Sequence, residues 1–246
     1  TEAFVDGRME GGTLTGDRLL KGYGDPYLVT ERLWLLQREL RSRGLRVIDG
    51  DLVLDNTWFA REELDPGAFD GQTYRAYNAL PDALLVNFQA VNFTFRPDPA
   101  RGRVEILADP VLANLEVQNN MRLFRGGCGS AKSGISMVVG NTPSRPRVTF
   151  SGALASQCAE YQLLRSILDG PAFAYGAFRG LWEEQGGRLT GGVRQGQVPA
   201  GKTPLVTFQS PPLAEVIRSV NKFSNNVMTR QLFLTLGTEK FGPPGT

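Results

Sequence analysis

The strongest constraint in this sequence is a change of grammar near Ala83. Upstream, Val29, Leu33, Leu36 and Leu40 recur at i, i+4, i+7 and i+11, which lays apolar side chains along one face of a helix. Asp25-Pro26 opens that segment, and Gly44 stands where a glycine just past the last helical turn belongs. From Ala83 no useful helical period occurs before residue 160. ALLVNFQAVNFTF, GRVEIL, GISMVV and RVTFSGAL are β-rich runs parted by turn signals such as Arg96-Pro97-Asp98 and Gly140-Asn141-Thr142-Pro143. Helical spacing returns at 171–185, where Ala174, Ala177, Phe178, Leu181 and Trp182 form a stripe closed by Gly186-Gly187. The expected class is multidomain α+β. An α/β domain in two segments, 1–82 and 161–205, is interrupted by a β-rich module at 83–160, and a further domain begins at 206–246.

Within the α/β part, Asp6-Gly7, Gly11-Gly12 and Gly16-Asp17 predict a hairpin followed by a strand around Arg18–Tyr23. Leu45 to Leu54 reads as a strand broken at Asp49-Gly50, and strand, helix, strand is the unit of a small α/β layer. After RLTGGVRQG and LVTF, Ser210-Pro211-Pro212 reads as an N-cap with proline in the first helical turn. Leu213, Val216, Ile217 and Val220 then predict a buried helix face. Lys222-Phe223-Ser224-Asn225-Asn226 interrupts it before a second helix over VMTRQLFLTLG.

Composition removes whole classes of chemistry. The 246 residues contain no histidine, which excludes Ser-His-Asp and Cys-His catalysis and the commonest metal ligand. Any nucleophile must be activated by a carboxylate or by one of the lysines, Lys21, Lys132, Lys202, Lys222 and Lys240. Cys128 and Cys158 are too few for a metal cluster without histidine, leaving a single disulfide or two buried thiols. A net charge of +2 with no basic run gives no nucleic-acid footprint, and no apolar stretch is long enough to cross a bilayer. No cofactor is indicated. The start at Thr1, without Met or a signal-peptide pattern, reads as that of a mature or excised piece.

Two motifs mislead. Gly196-Gln-Val-Pro-Ala-Gly201-Lys202-Thr203 spells a phosphate loop, which needs a helix to start at the Lys-Thr pair. Pro204 and a β-like LVTF follow instead, and Pro199 removes an N–H from the phosphate nest. The expectation is a turn between two strands. Asp49, Asp51 and Asp55 suggest a calcium loop, but Val53 occupies a ligand position and the glycine is misplaced.

SPPLAEVIRSVNKFSNNVMTRQLFLTLG, at 210–237, resembles the stretch around the S-x-N motif of the class C low-molecular-mass penicillin-binding proteins, serine D-alanyl-D-alanine carboxypeptidase/endopeptidases of the bacterial envelope. KGYGDPYLVTERLWLL, GLRVIDGDLVLDNTWF, YNALPDALLVNF, GGCGSAKSG with SQCAEY, and FRGLWEEQGG resemble that family in the same order, so the likeness covers essentially the whole chain. It implies acyl transfer by three motifs, S-x-x-K, S-x-N and K-T-G, without histidine. Residues 206–246 would then begin a transpeptidase/β-lactamase-like domain, and the flanking domains would be insertions in it.

Carried over residue by residue, only the second motif is present. Ser224 and Asn226 are the implied catalytic residues, with Asn225 between them as a candidate substrate contact. Ser219-Val220-Asn221-Lys222 spells S-x-x-K, but it lies beside S-x-N rather than far upstream. Lys132-Ser133-Gly134 imitates K-T-G inside the cysteine region, so both are set aside. The chain therefore reads as the middle of the enzyme, after the nucleophile pair and before K-T-G. Asp82, at the α/β–β junction, is a candidate substrate contact or simply a turn-forming Pro-Asp. The implied partners are peptidoglycan stem peptides ending in D-Ala-D-Ala and β-lactams, in the periplasm or another extracytoplasmic space, where Cys128 and Cys158 are expected to pair. Alternatives are a non-catalytic peptidoglycan- or partner-binding module and a phosphate-loop nucleotide binder.

Overall fold

The computed structural model describes residues 1–61, 64–128, 134–141 and 145–246. β1 (Glu2–Glu10) and β2 (Thr13–Lys21) form one antiparallel hairpin, with Glu10 opposite Thr13. The separate strand expected near Arg18–Tyr23 is thus the second half of β2. Gly11 and Gly12 close the turn at φ +55° and +83°, a region that L side chains enter only with strain. β3 (Val47–Asp49) and β4 (Leu52–Asp55) run parallel to β2, pairing with Thr13–Thr15 and Arg18–Lys21 in turn. They are one strand interrupted at Gly50-Asp51.

The same interruption recurs further out. β11 (Arg188–Leu189) is parallel to β3, β12 (Val193–Gln195) is parallel to β4, and β13 (Val206–Thr207) pairs with the other edge, β1. At the break the strands touch backbone to backbone. A Cβ on Gly16 would lie 2.2 Å from Asp6 O, on Gly50 2.2 Å from Gly16 O, and on Gly191 2.2 Å from Gly50 O. N–H groups freed there are taken by carboxylates: Asp17 Oδ1 accepts from Asp51 N at 2.8 Å, and Asp51 Oδ1 accepts from Gly192 N at 2.8 Å. The aspartates of the calcium-loop look-alike are therefore committed to strand ends.

α1 (Thr30–Ser42) and α2 (Gly170–Glu184) share one core with the sheet. Leu33, Leu36, Leu40, Phe178 and Trp182 join Leu14, Leu20, Ile48, Leu52 and Leu54. Between the helices, Gln37 donates to Phe178 O at 2.7 Å. A smaller cluster, Phe4, Leu19 and Val53, is packed by Val198. This accounts for the phosphate-loop look-alike. Val198 packs on apolar surface, its N–H bonds to Asp55 Oδ2 at 2.8 Å, and Lys202 pairs with Asp6 in a loop between β12 and β13.

The β-rich part forms two three-stranded sheets. One orders β10 (Tyr161–Arg165), β5 (Val91–Asp98) and β6 (Arg103–Asp109). The other orders β7 (Glu116–Phe124), β9 (Pro146–Ala155) and β8 (Ile135–Asn141), with β7 parallel to β9. Along β5, buried Val91, Phe93 and Phe95 alternate with more exposed neighbours, the period of a strand with one dry face. Phe150 of β9 meets Phe93 and Phe95 at centroid distances of 4.8 and 5.0 Å, which joins the sheets. Cys128 and Cys158 form a disulfide spanning 30 positions. The Lys132-Ser133 pair of the K-T-G look-alike lies outside the described residues.

ALLVNFQA is not a strand. β5 starts at Val91, and Asn87, Phe88 and Gln89 have φ of 46°, 53° and 56°, a left-handed turn of three non-glycine residues. Such residues cost about 1 kcal/mol each. The polar side chains offset this: Asn87 Oδ1 accepts from Thr30 N, in the uncapped first turn of α1, Asn87 Nδ2 donates to Ala90 O, and Gln89 Nε2 donates to Leu168 O.

α3 (Leu213–Phe223) and α4 (Asn226–Phe241) complete the fold. α3 departs from expectation twice. Its N-cap is Pro212, with no side-chain cap and no role for Ser210, because the extended proline carries the chain to the helix. Its supposed buried face is open too: Val216 is buried, while Leu213 and Ile217 are exposed.

The glycine contacts yield a test. Gly50→Ala places a methyl against the Gly16 carbonyl, and the expected loss is on the order of 3 kcal/mol, or a melting temperature lower by about 6–12 °C. Gly140, where an added Cβ meets nothing within 4 Å, is the control; Gly140→Ala should change stability by no more than about 0.5 kcal/mol in the same thermal melts.

Candidate active site at a two-helix junction

Ser224-Asn225-Asn226 is the whole connection between α3 and α4. α3 ends because Ser224 turns left-handed, φ 48° and ψ 45°, so that its N–H and that of Asn225 both reach Val220 O. Asn225 returns to extended backbone and starts α4. Its Oδ1 accepts from Met228 N at 3.0 Å, satisfying one of the orphan N–H groups of the first turn. Val227 and Met228 then dive into the interior, and Val227 joins Ala79 and Leu85 in a buried cluster. Ser224 and Asn226 remain exposed on the outside of the turn, while capping leaves Asn225 half-buried. The turn thus holds one hydroxyl and one amide outward on a backbone fixed from both sides.

The S-x-x-K look-alike has a different setting. Ser219 is half-buried within α3, and exposed Lys222 stands over the Phe223 ring, Nζ 5.3 Å from its centroid.

Asp82 meets α4 at Gln231, five residues past the motif. Its Oδ2 accepts from Asn56 Nδ2 at 3.0 Å and its Oδ1 from Leu84 N at 2.8 Å, the local turn that a Pro-Asp pair favours. A Cβ on Gly170, the first residue of α2, would lie 2.7 Å from Oδ2, so the carboxyl is pressed against that helix start. Desolvation, helped by the like charge of Asp169, holds the Asp82 carboxyl above the usual carboxylate range against the opposing pull of its hydrogen bonds. Asp82 also lines a cleft of about 1340 Å³ with Trp58, Arg61, Phe69, Arg230 and Phe233. Ser224 and Asn226 are not part of its wall. No cluster of metal-ligating side chains occurs among the described residues.

The D-Ala-D-Ala carboxypeptidase 3 (S13) family matches residues 1–246. The chain belongs to this family. The chain is 29% identical over 237 residues to a D-alanyl-D-alanine carboxypeptidase of Actinomadura sp., covering 92% of this chain and 43% of that protein. It is 25% identical over 246 residues to the D-alanyl-D-alanine carboxypeptidase DacB of Haemophilus influenzae, covering 100% of this chain and 50% of DacB. The crystal structure of penicillin binding protein 4 (dacB) from H. influenzae superposes with a TM-score of 0.73 at 22% identity, over 99% of this chain and 53% of that one. The same protein complexed with a β-lactam gives a TM-score of 0.66 at 21% identity over 99% of this chain and 51% of that one. This S13 chain therefore spans about half the length of the curated relatives it matches, and its fold is the mixed α+β fold of that part of the penicillin-binding protein.

Sequence patterning overlooked Gln231. It lies on the α4 face that carries Val227 and Thr238, fully buried, and its amide pairs with the backbone of Asp82. The available signal was a polar residue four positions after Val227 on a buried stripe.

Two predictions follow from this geometry. Ser224→Gly and Ser224→Ala both delete the hydroxyl, so their difference isolates the left-handed backbone. The glycine variant should be more stable by about 1 kcal/mol in parallel thermal melts. For Asp82 the folded pKa is raised, so the native state binds the extra proton; the stability this lends is complete below the unfolded pKa and is lost as pH rises through the folded one. Asp82→Asn, with the Asn56 amide rotated to keep its bond, should remove that decline. Its melting temperature should approach or fall below wild type near pH 3 and exceed it by a few degrees near pH 7.

Proposed function

We propose that this chain is the middle part of a serine D-alanyl-D-alanine carboxypeptidase/endopeptidase of peptidoglycan maturation and recycling that is also acylated by β-lactams. Residues 1–82 and 166–207 form its inserted α/β domain and 83–165 the nested β-rich domain, because β10 pairs with β5 and β13 with β1, which moves the boundaries expected at 160 and 205; 208–246 are the part of the catalytic domain that carries S-x-N. The observation that carries the reading is the outward pair Ser224 and Asn226 on a doubly anchored turn, in a chain of the S13 family.

In the proposed reaction a serine from an S-x-x-K motif, supplied by segments outside these residues, attacks the carbonyl of the penultimate D-Ala. Its Oγ–C bond forms, and the peptide C–N bond breaks. The serine proton travels through the lysine and the Ser224 hydroxyl to the leaving amine of D-Ala. Asn226 hydrogen-bonds the substrate amide. Asn225 is kept beside the substrate by its cap of α4, whereas Asp82, in the wall of a cleft that Ser224 and Asn226 do not line, is assigned no substrate contact. Water then hydrolyses the ester; with a β-lactam the leaving nitrogen stays tethered, and that step is slow.

Supporting features lie outside the motif. Phe223, Phe233, Leu236 and Phe241 are exposed, up to 80% for Phe241, as an apolar surface for further segments of a catalytic domain would be. The Cys128–Cys158 disulfide fits an oxidising, extracytoplasmic location. No helix among the described residues is long and apolar enough to cross a membrane.

Fluorescent penicillin tests the reading. The 246-residue chain should remain unlabelled and release no D-Ala from a pentapeptide, whereas the protein that also contains the S-x-x-K and K-T-G segments should be labelled and should release D-Ala. In that protein Ser224→Ala or Asn226→Ala should slow acylation by a factor on the order of 100, with Ser219→Ala nearly silent. Covalent labelling of the isolated chain that vanishes in Ser219→Ala would overturn the assignment.

A further inference from the structure

Gln231 is fully buried on α4, five residues after Asn226. Its Oε1 accepts from Asp82 N at 3.1 Å, and its Nε2 donates to Asp82 O. One side-chain amide thus pairs with both backbone groups of one residue, as a neighbouring strand would, at a point where Asp82 has no strand beside it. Other ties between α4 and the segment at 79–85 are weaker or less directional. Arg230 reaches Ala79 O at 3.4 Å, and Val227 packs with Ala79 and Leu85. Apolar packing tolerates a slide or roll of a helix by a fraction of an ångström, whereas two antiparallel hydrogen bonds to fixed backbone atoms do not.

The segment that receives Gln231 is itself immobilised. The Asp82 carboxyl is bound by Asn56 and by Leu84 N, and Gly24 N donates to Ala83 O at 2.9 Å. Asn56 directly follows β4, so the sheet, Asn56, Asp82 and Gln231 form a continuous polar path to α4. At about 1.5 Å per residue, the motif at the head of α4 lies within two turns of the end of that path.

We propose that Gln231 is the positioning residue of the S-x-N motif: its paired hydrogen bonds to Asp82 set the height and rotation of α4 on the α/β body, and hence the places of Ser224 and Asn226. The role in turnover rests on the acyl-transfer function proposed above; the mechanical role does not. Gln231→Met keeps length and apolar bulk but removes both bonds, leaving Asp82 N–H and C=O buried without partners. Leu40→Ala, in a core cluster that contains no residue of α4, destabilises the protein elsewhere and serves as the comparison.

Hydrogen exchange on the 246-residue chain reads the mechanical part. Gln231→Met should accelerate exchange of the amides at 225–229 at least tenfold relative to wild type, beyond any change there in Leu40→Ala. Unchanged exchange at 225–229 overturns the proposal, whatever the activity. In the longer, penicillin-reactive protein, acylation per titrated active site is compared well below melting. Gln231→Met should lower the acylation rate constant about tenfold or more, since misplacement by an ångström can cost up to a hundredfold, while Leu40→Ala leaves it within twofold. Faster exchange with an unaltered rate constant reduces Gln231 to a stabilising residue and rejects positioning. If wild-type protein carrying all three motifs fails to react with penicillin, the acyl-transfer reading falls, and the exchange result still decides whether Gln231 fixes the turn.

Discussion

Backbone contact across the line Gly7, Gly16, Gly50 and Gly191 is the constraint from which the architecture descends. Sheet strands normally sit about 4.7–4.9 Å apart with side chains projecting above and below the sheet, but here each glycine leaves no room for a Cβ beside its neighbour's backbone. Pairing of β2 therefore passes from β3 to β4, and pairing of the next strand passes from β11 to β12, at the same level. The broken ladder would leave N–H groups without a protein partner if Asp17 and Asp51 did not accept them. Charge makes those aspartates good acceptors, and Arg194 compensates Asp17, holding its carboxyl below the usual range through a direct hydrogen bond.

From that line the order of the chain leads to the helix pair. β4 emerges beyond the break and ends at Asp55, whose carboxylate binds Thr57 on one side and Val198 N on the other. The next residue, Asn56, reaches Asp82. The sheet therefore fixes the loop at its end through short polar links rather than through a large apolar interface. α4 sits on that loop with its Val227 side against Ala79 and Leu85, its other side carries exposed Phe233 and Leu236, and Phe241 is exposed at its last residue. A helix with one thin dry stripe and one broad exposed apolar face is held in place by direction more than by area.

The legible parts of the sequence were those where local pattern and tertiary environment agree. Leu33, Leu36 and Leu40 in α1, and Phe178, Leu181 and Trp182 in α2, obey helical spacing because the sheet lies under one side of each. The same logic misled at α3, whose Leu213 and Ile217 follow the pattern with nothing described over them. Asn87-Phe88-Gln89 lies within a β-like run, yet its amides bond, besides nearby Ala90, to Thr30 and Leu168, partners that no local window contains. Arg18 is the inverse case. Strand alternation with Leu14 and Leu20 points it inward, charge argues for solvent, and the chain buries it fully, without a hydrogen-bond partner for its guanidinium among the described residues. Desolvation alone pushes its pKa down to about 9. The motif residues Ser224 and Asn226 could be named from resemblance, but the left-handed serine could not, because backbone strain leaves no periodic trace; for Gln231 the spacing marks a buried polar residue but not its partner, the backbone of Asp82.

The absence of histidine, read first as an exclusion, acquires a structural sense through the lysines. Among the described residues Lys21 is paired with Asp55 at 3.5 Å and Lys202 with Asp6, while Lys222 and Lys240 lie over the rings of Phe223 and Phe241. None of these contacts joins a lysine to Ser224, and a serine hydroxyl without a base is a poor nucleophile. What the turn offers instead is placement. Ser224 spends backbone strain to stand outside both helices, and Asn225 spends its side chain as a cap so that Asn226 need not. In the three-motif mechanism proposed above, the reacting group and the base come from elsewhere and S-x-N supplies placement.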